Sequence, residues 1–147
     1  MAEDHLKLEN QICFSIYATA REVTKLYKPL LEELNVTYPQ YLALLVLWEE
    51  DCITVKEMGH RLYLDSGTLT PMLKRMETAG LLFRERSKHD ERSVVVCLTE
   101  QGKEAEQTAD SIPYQLLDQL NMDAEELKQF KASMMKVLNS VHQKNES

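Results

Sequence analysis

The side chains best able to do covalent chemistry in this 147-residue chain are three cysteines, Cys13, Cys52 and Cys97. An odd number of widely separated cysteines fits neither a disulfide framework nor the paired spacing of a structural zinc site, so each reads as a free thiol. Cys13 has the most suggestive neighbours. Cys13, Tyr17, Ala20, Thr24 and Tyr27 follow one another by steps of four and three, which places them on one side of a helix. A thiol there is either a small buried hydrophobe among packing aromatics or a nucleophile whose thiolate is open to oxidation. Cys13 and Tyr27 lie fourteen residues apart, about 21 Å at the helical rise. Contact between them within one straight helix is therefore impossible and requires a second copy of the chain. Cys52, at a helix end, and Cys97, in a strand, read as structural bystanders. His5, His60, His89 and His142 share no spacing that would propose a metal site, and no cofactor is called for.

A second group of residues suits recognition. A helix entering the DNA major groove needs short polar side chains at its N-terminal end and cations along its flank. Ser66, Thr68, Thr70, Lys74 and Arg75 supply both. A neighbouring hairpin can carry an arginine into the minor groove; Arg92 is the candidate, with Arg84, Arg86 and Lys88 placed for phosphates. Asp90 either touches DNA or orients Arg92 through a charge-assisted hydrogen bond. Taken singly, these features are also what a helix cap and a solvated turn look like. Their order along the chain is the informative part.

The elements that must position these residues follow from periodicity and capping. Apolar residues from Leu8 through Ile12, Ile16, Ala20, Val23, Tyr27 and Leu30 predict a helix over Leu6 to Leu34, bent near Pro29. Thr37 caps a strongly apolar second helix ending near Glu49, and Thr54 caps a short one ending near Tyr63. Asp65 to Thr68 form a turn and cap before a helix closed at Gly80. Pro71 conflicts with that helix, which must begin late or bend there. Leu81 to Ser87 and Ser93 to Leu98 read as strands around the charged tip Lys88 to Arg92. Thr99 caps a helix toward Leu120 disturbed at Pro113, and Asp123 opens a last one to about His142.

Composition permits this reading. The net charge of −7 hides an asymmetry: Lys56 to Arg92 hold eight basic and six acidic residues, leaving −9 elsewhere. The N-terminal stretch carries charges and no apolar signal core, and the longest apolar run, Tyr41 to Trp48, is too short to span a bilayer. A cytoplasmic protein without membrane contact is expected.

The stretches LDSGTLTPMLKRMETAGLL and RERSKHDERSVVVCLTEQG resemble the MarR family of winged-helix regulators, as do the wing tip Asp90-Glu91-Arg92 and the run Leu98-Thr99-Glu100-Gln101-Gly102. Within that family, LENQICFSIYATAREVTKLYKPLL and LNVTYPQYLALLVLW are similar to the organic hydroperoxide resistance repressors and related thiol-based oxidation sensors. The resemblance implies a mainly α fold with a small β-hairpin wing, as one domain over residues 1–147. Within it lie a winged helix-turn-helix at 54–99 and dimerisation helices at 5–34 and 100–144. It further implies a homodimer on palindromic operator DNA, acting as a repressor released by organic hydroperoxide. Cys13 then falls at the peroxidatic cysteine, Tyr27 and Tyr38 at tyrosines that hydrogen-bond it, and Tyr17 at another aromatic of that region. One subgroup uses a second, downstream cysteine, but no cysteine follows Cys97. The one-cysteine type that remains would end as a mixed disulfide with a small cellular thiol, or as an over-oxidised acid. Two alternatives stay open: a regulator induced by a non-covalent phenolic or drug-like ligand, and a thiol peroxidase with turnover.

Overall fold

Four helix starts are set by the side chain just ahead of them. In the computed structural model, which describes Met1 and residues 3–146, Thr37, Thr54, Asp65 and Thr99 each accept a hydrogen bond from a backbone N–H three residues on, at 2.7–3.4 Å. Each satisfies one donor that a helix leaves unpaired in its first turn. At Thr37 the bond is reciprocal, because the Gln40 side chain accepts from the Thr37 N–H at 3.0 Å. The helices so begun are α2 (Tyr38–Glu49), α3 (Val55–Leu62), α4 (Ser66–Thr78) and α5 (Glu100–Ala109), preceded by α1 (Ile12–Leu30) and followed by α6 (Ile112–Gln119) and α7 (Ala124–Glu146).

Two compact units divide the chain, Met1–Ile112 and Pro113–Ser147. In the first, strands β1 (Ile53–Thr54), β2 (Leu82–Arg86) and β3 (Val94–Leu98) make an antiparallel sheet in the order β1-β3-β2. Its main core joins Ala43, Leu44, Val46 and Leu47 of α2 to Met58 of α3, to Leu69, Met72, Leu73 and Met76 of α4, and to Leu82, Val96 and Leu98 of the sheet. Each such side chain taken fully out of water contributes about 1.5–3 kcal/mol, so the two short helices and the hairpin are held as one body. A second cluster gathers Leu31, Leu34, Tyr41, Ala109 and Ile112. In the second unit, Asp123 and Glu126 form a reciprocal cap at the start of α7, with bonds of 2.9 and 3.3 Å.

The structure departs from the sequence expectations, or decides between them, at five places. The first helix begins at Ile12 instead of Leu6. Residues Asp4–Leu6 and Leu8–Asn10 are single 3-10 turns, held by the Asn10 and Gln11 side-chain amides on the carbonyls of Asp4, His5 and Lys7. It also stops one residue after Pro29, and a separate 3-10 turn, Glu32–Leu34, follows. The helix after Thr99 breaks at Asp110 and Ser111, ahead of Pro113. Helix α4 runs through Pro71 without starting late. The carbonyl that loses its partner belongs to exposed Gly67, while Leu69, Met72, Leu73 and Met76 are buried, so packing carries the helix past the proline. Finally, Cys52 and Cys97 are not free thiols: they form a disulfide. The pairing of Ile53 with Val96 and Thr54 with Val95 puts Cys52 opposite Cys97, with Cα atoms 4.2 Å apart. A two-residue strand paired across more than forty residues leaves no periodic trace in the sequence.

Candidate nucleic-acid interface and thiol sites

Burial of Leu69, Met72, Leu73 and Met76 leaves Ser66, Thr68, Thr70, Lys74 and Arg75 of α4 exposed together. Asp65 holds the Thr68 N–H at 2.7 Å and so fixes the first turn; that bond holds the Asp65 carboxyl below its usual pKa. Ahead of α4, Tyr63 takes a left-handed backbone, φ 58°, at the end of α3, and the Leu64 N–H returns to the Gly59 carbonyl. This is the tight turn of a helix-turn-helix.

The wing tip is shaped by two side chains. Ser87 Oγ accepts from the backbone N–H groups of His89 and Asp90. Asp90 Oδ1 accepts from the Arg92 backbone N–H at 3.0 Å, and its Oδ2 from the Ser93 hydroxyl at 3.4 Å. Asp90 thus builds the turn and orients Arg92 through a charge-assisted bond to its backbone N–H, the second of the two roles expected for it. Arg86 also belongs to this frame, donating to the Glu91 carbonyl at 2.7 Å. Lys88 and Arg92 are exposed. Arg84 is the clearest reassignment. Its guanidinium donates to Glu77 of α4 at 3.2 and 3.3 Å and its backbone N–H to the same carboxylate at 2.9 Å, leaving it only 20 % exposed. It braces β2 against α4. Those bonds, the backbone one foremost, hold the Glu77 carboxyl below the usual carboxylate range.

The residues expected around the N-terminal thiol divide. Cys13 is free and exposed, and α1 buries none of its residues. Tyr17 is also exposed, with the Arg21 guanidinium 5.5 Å from its ring centroid. Tyr27 and Tyr38 meet elsewhere, with ring centroids 4.4 Å apart. Tyr41, which sequence reasoning missed, completes the group at 5.8 and 6.4 Å and passes contact on to Trp48 at 6.4 Å. Its signal was available, since Tyr41 stands one helical turn after Tyr38. Burial raises the pKa of all three phenols, most of all Tyr27. One chain thus holds the hydroxyl pair and, one end of α1 away, the thiol. The one group of metal-ligand type among the described residues is Asp51, Cys52 and Cys97, which includes no histidine.

Two short helices joined by a tight turn, followed by a charged hairpin in a shared sheet, define a winged helix-turn-helix of the transcription-regulator class. Comparison with known proteins narrows this. The family described as transcriptional regulator SarA/Rot matches residues 25–108. The chain is 58% identical over 142 residues to the organic hydroperoxide resistance transcriptional regulator of Bacillus subtilis, covering 97% of each. Among solved structures, reduced AbfR bound to DNA is similar with a TM-score of 0.81 and 35% identity, over 96% of this chain and 99% of that one. A mutant MarR of E. coli complexed with operator DNA gives 0.81 and 30%, over 90% and 99%. The chain belongs to the MarR family of winged-helix transcription regulators. Among the described residues no helix is long and apolar enough to cross a membrane.

Proposed function

We propose that the chain is a homodimeric repressor that leaves its palindromic operator when an organic hydroperoxide oxidises Cys13. The observation that carries the reading is the free, exposed Cys13 thiol on a helix that buries none of its residues. The dimer is supported by the terminal helices. Ile12, Phe14 and Tyr17 of α1 are exposed, as are Phe130, Met135, Val137 and Val141 of α7, more apolar surface than an isolated helix leaves in water without a partner. A second copy also brings two recognition helices to two half-sites. In this reading Ser66, Thr68, Thr70, Lys74 and Arg75 face the major groove, Arg92 reaches the minor groove, and Arg86 and Lys88 lie near phosphates.

The chemistry is thiolate attack on the peroxide O–O bond, giving a sulfenic acid and an alcohol, followed by condensation with a small cellular thiol and loss of water. Support for hydroperoxide as the oxidant comes from the name of the Bacillus subtilis relative, and for DNA from the DNA-bound neighbours. Cys13→Ser is expected to bind operator like the wild type in a gel shift yet stay bound after cumene hydroperoxide. Release of that variant by peroxide overturns the reading.

A further inference from the structure

Cys52 and Cys97 take no part in the function just proposed, and their surroundings are specific. Cys52 is exposed, whereas Cys97 is 3% exposed, in the central strand of the sheet. Asp51 Oδ1 accepts from the Cys52 N–H at 2.9 Å and from the Leu98 N–H at 2.8 Å. One carboxylate therefore pins the backbone at both cysteines, which keeps them opposite each other whether or not their sulfurs are joined. A carboxylate oxygen of Asp51 also lies within 4.8 Å of both sulfurs. The bond joins residues 45 apart. Nearly everything proposed to read DNA, namely α3, α4, β2 and the wing tip, lies inside that loop.

We infer that Cys52 and Cys97 are a second redox site, a dithiol that closes reversibly to staple the DNA-reading unit, independent of Cys13. Hydroperoxide oxidises the exposed Cys52 thiol to a sulfenic acid and is itself reduced to the alcohol. The buried Cys97 thiol then attacks that sulfur, forming the S–S bond and releasing water. Reopening consumes two equivalents of a low-molecular thiol. The first attacks Cys52, since the Cys97 sulfur is shielded, and expels the Cys97 thiol. The second attacks the outer sulfur of that mixed disulfide, freeing the Cys52 thiol and forming the oxidised dimer of the small thiol. The consequence is on stability, because a closed loop of this length removes much of the freedom of the unfolded chain.

The test uses the full-length Cys13→Ser protein, so the outcome does not depend on the sensor reading. The protein is reduced, freed of reductant, treated with cumene hydroperoxide, alkylated and digested. The expected product is a crosslinked pair of peptides carrying Cys52 and Cys97, two hydrogens lighter than their sum and absent after dithiothreitol. The melting temperature is expected to be higher in the oxidised form, by on the order of 10 °C, and adding Cys52→Ser should remove the difference. In Cys13→Ser with Cys97→Ser, dimedone should label Cys52; in Cys13→Ser with Cys52→Ser, it should leave Cys97 unlabelled. Two thiols still alkylable after excess hydroperoxide overturn the inference, as do equal melting temperatures in the two redox states. So does stoichiometric zinc bound through Asp51, Cys52 and Cys97.

Discussion

Tyr27 and Tyr38 pack with ring centroids 4.4 Å apart and ring planes tilted by 36°, so the last turns of α1 are tied to the start of α2 by a phenol pair. Burial foremost, and then the neighbouring Tyr38 and Tyr41, push the Tyr27 pKa well above the ordinary phenol value. The native protein therefore keeps this proton where the unfolded chain releases it. Stability from the pair is fully present below about pH 10 and declines above it, by about 1.4 kcal/mol per pH unit for each retained proton. Tyr27→Phe, which has no phenol proton to lose, should lose stability less steeply above about pH 10. Urea titrations at several alkaline pH values would show it, and equal slopes would refute it.

Arg84 and Arg92 look alike in sequence, yet the structure gives them different tasks. With its guanidinium on Glu77, Arg84 should act on stability. Arg84→Ala is expected to lower the melting temperature while leaving the salt dependence of operator binding unchanged. Arg92→Ala should do the reverse, weakening specific binding by about 1–3 kcal/mol with no change in melting. Fluorescence anisotropy across a salt series, paired with calorimetry, separates the two.

The Glu77 carboxyl is held low by the bonds it accepts. Its contribution is thus complete above the ordinary carboxylate pKa and is lost as the pH falls through the lower native value. Glu77→Gln keeps the shape and removes the charge. A melting temperature lower by about 3 °C at pH 7, converging with the wild type in strong acid, is the expected calorimetric result. A difference that persists unchanged to low pH would mean that the charge is not the cause.

Gly102 is required for space. A Cβ there would run into the Leu81 carbonyl oxygen and come within 3.0 Å of Leu98 Cδ2, and the Gly102 carbonyl accepts from the Trp48 indole N–H at 2.9 Å. Forcing these elements apart costs about 1–3 kcal/mol. Gly102→Ala should therefore lower the urea midpoint without altering the slope of the transition.

What could be read from the sequence was local. Thr37, Thr54, Asp65 and Thr99 each stand ahead of an apolar period and need only the next three residues to act as caps, so α2 to α5 start where their spacing says. The hairpin was legible for the same reason. What was hidden depends on partners far along the chain or on neighbours of equal appeal. The two-residue strand β1 exists only because β3 pairs with it, and the Cys52–Cys97 bond follows from that register. Arg84 could be assigned to DNA or to Glu77 until the geometry of β2 against α4 was known. The apolar spacing that carried the first helix back to Leu6 misled, because the Asn10 and Gln11 side chains bond the preceding carbonyls and favour separate turns.

The placement of Cys13 near one end of α1 and Tyr27 near the other yields a prediction about mixed dimers. In a straight helix the two are about 21 Å apart, so a sensor that uses both must take Cys13 from one subunit and Tyr27 from its partner. Cys13→Ser and Tyr27→Phe homodimers would each have two defective sites. In a heterodimer of the two variants, one site combines both defects and the other combines the intact Cys13 of one chain with the intact Tyr27 of the other. Co-expressing differently tagged copies and isolating the heterodimer should therefore recover wild-type oxidation kinetics at one thiol per dimer, measured by alkylation and mass spectrometry of Cys13. If Tyr27 instead served the Cys13 of its own chain, that thiol would react as slowly in the heterodimer as in the Tyr27→Phe homodimer, and the shared-site arrangement would have to be abandoned.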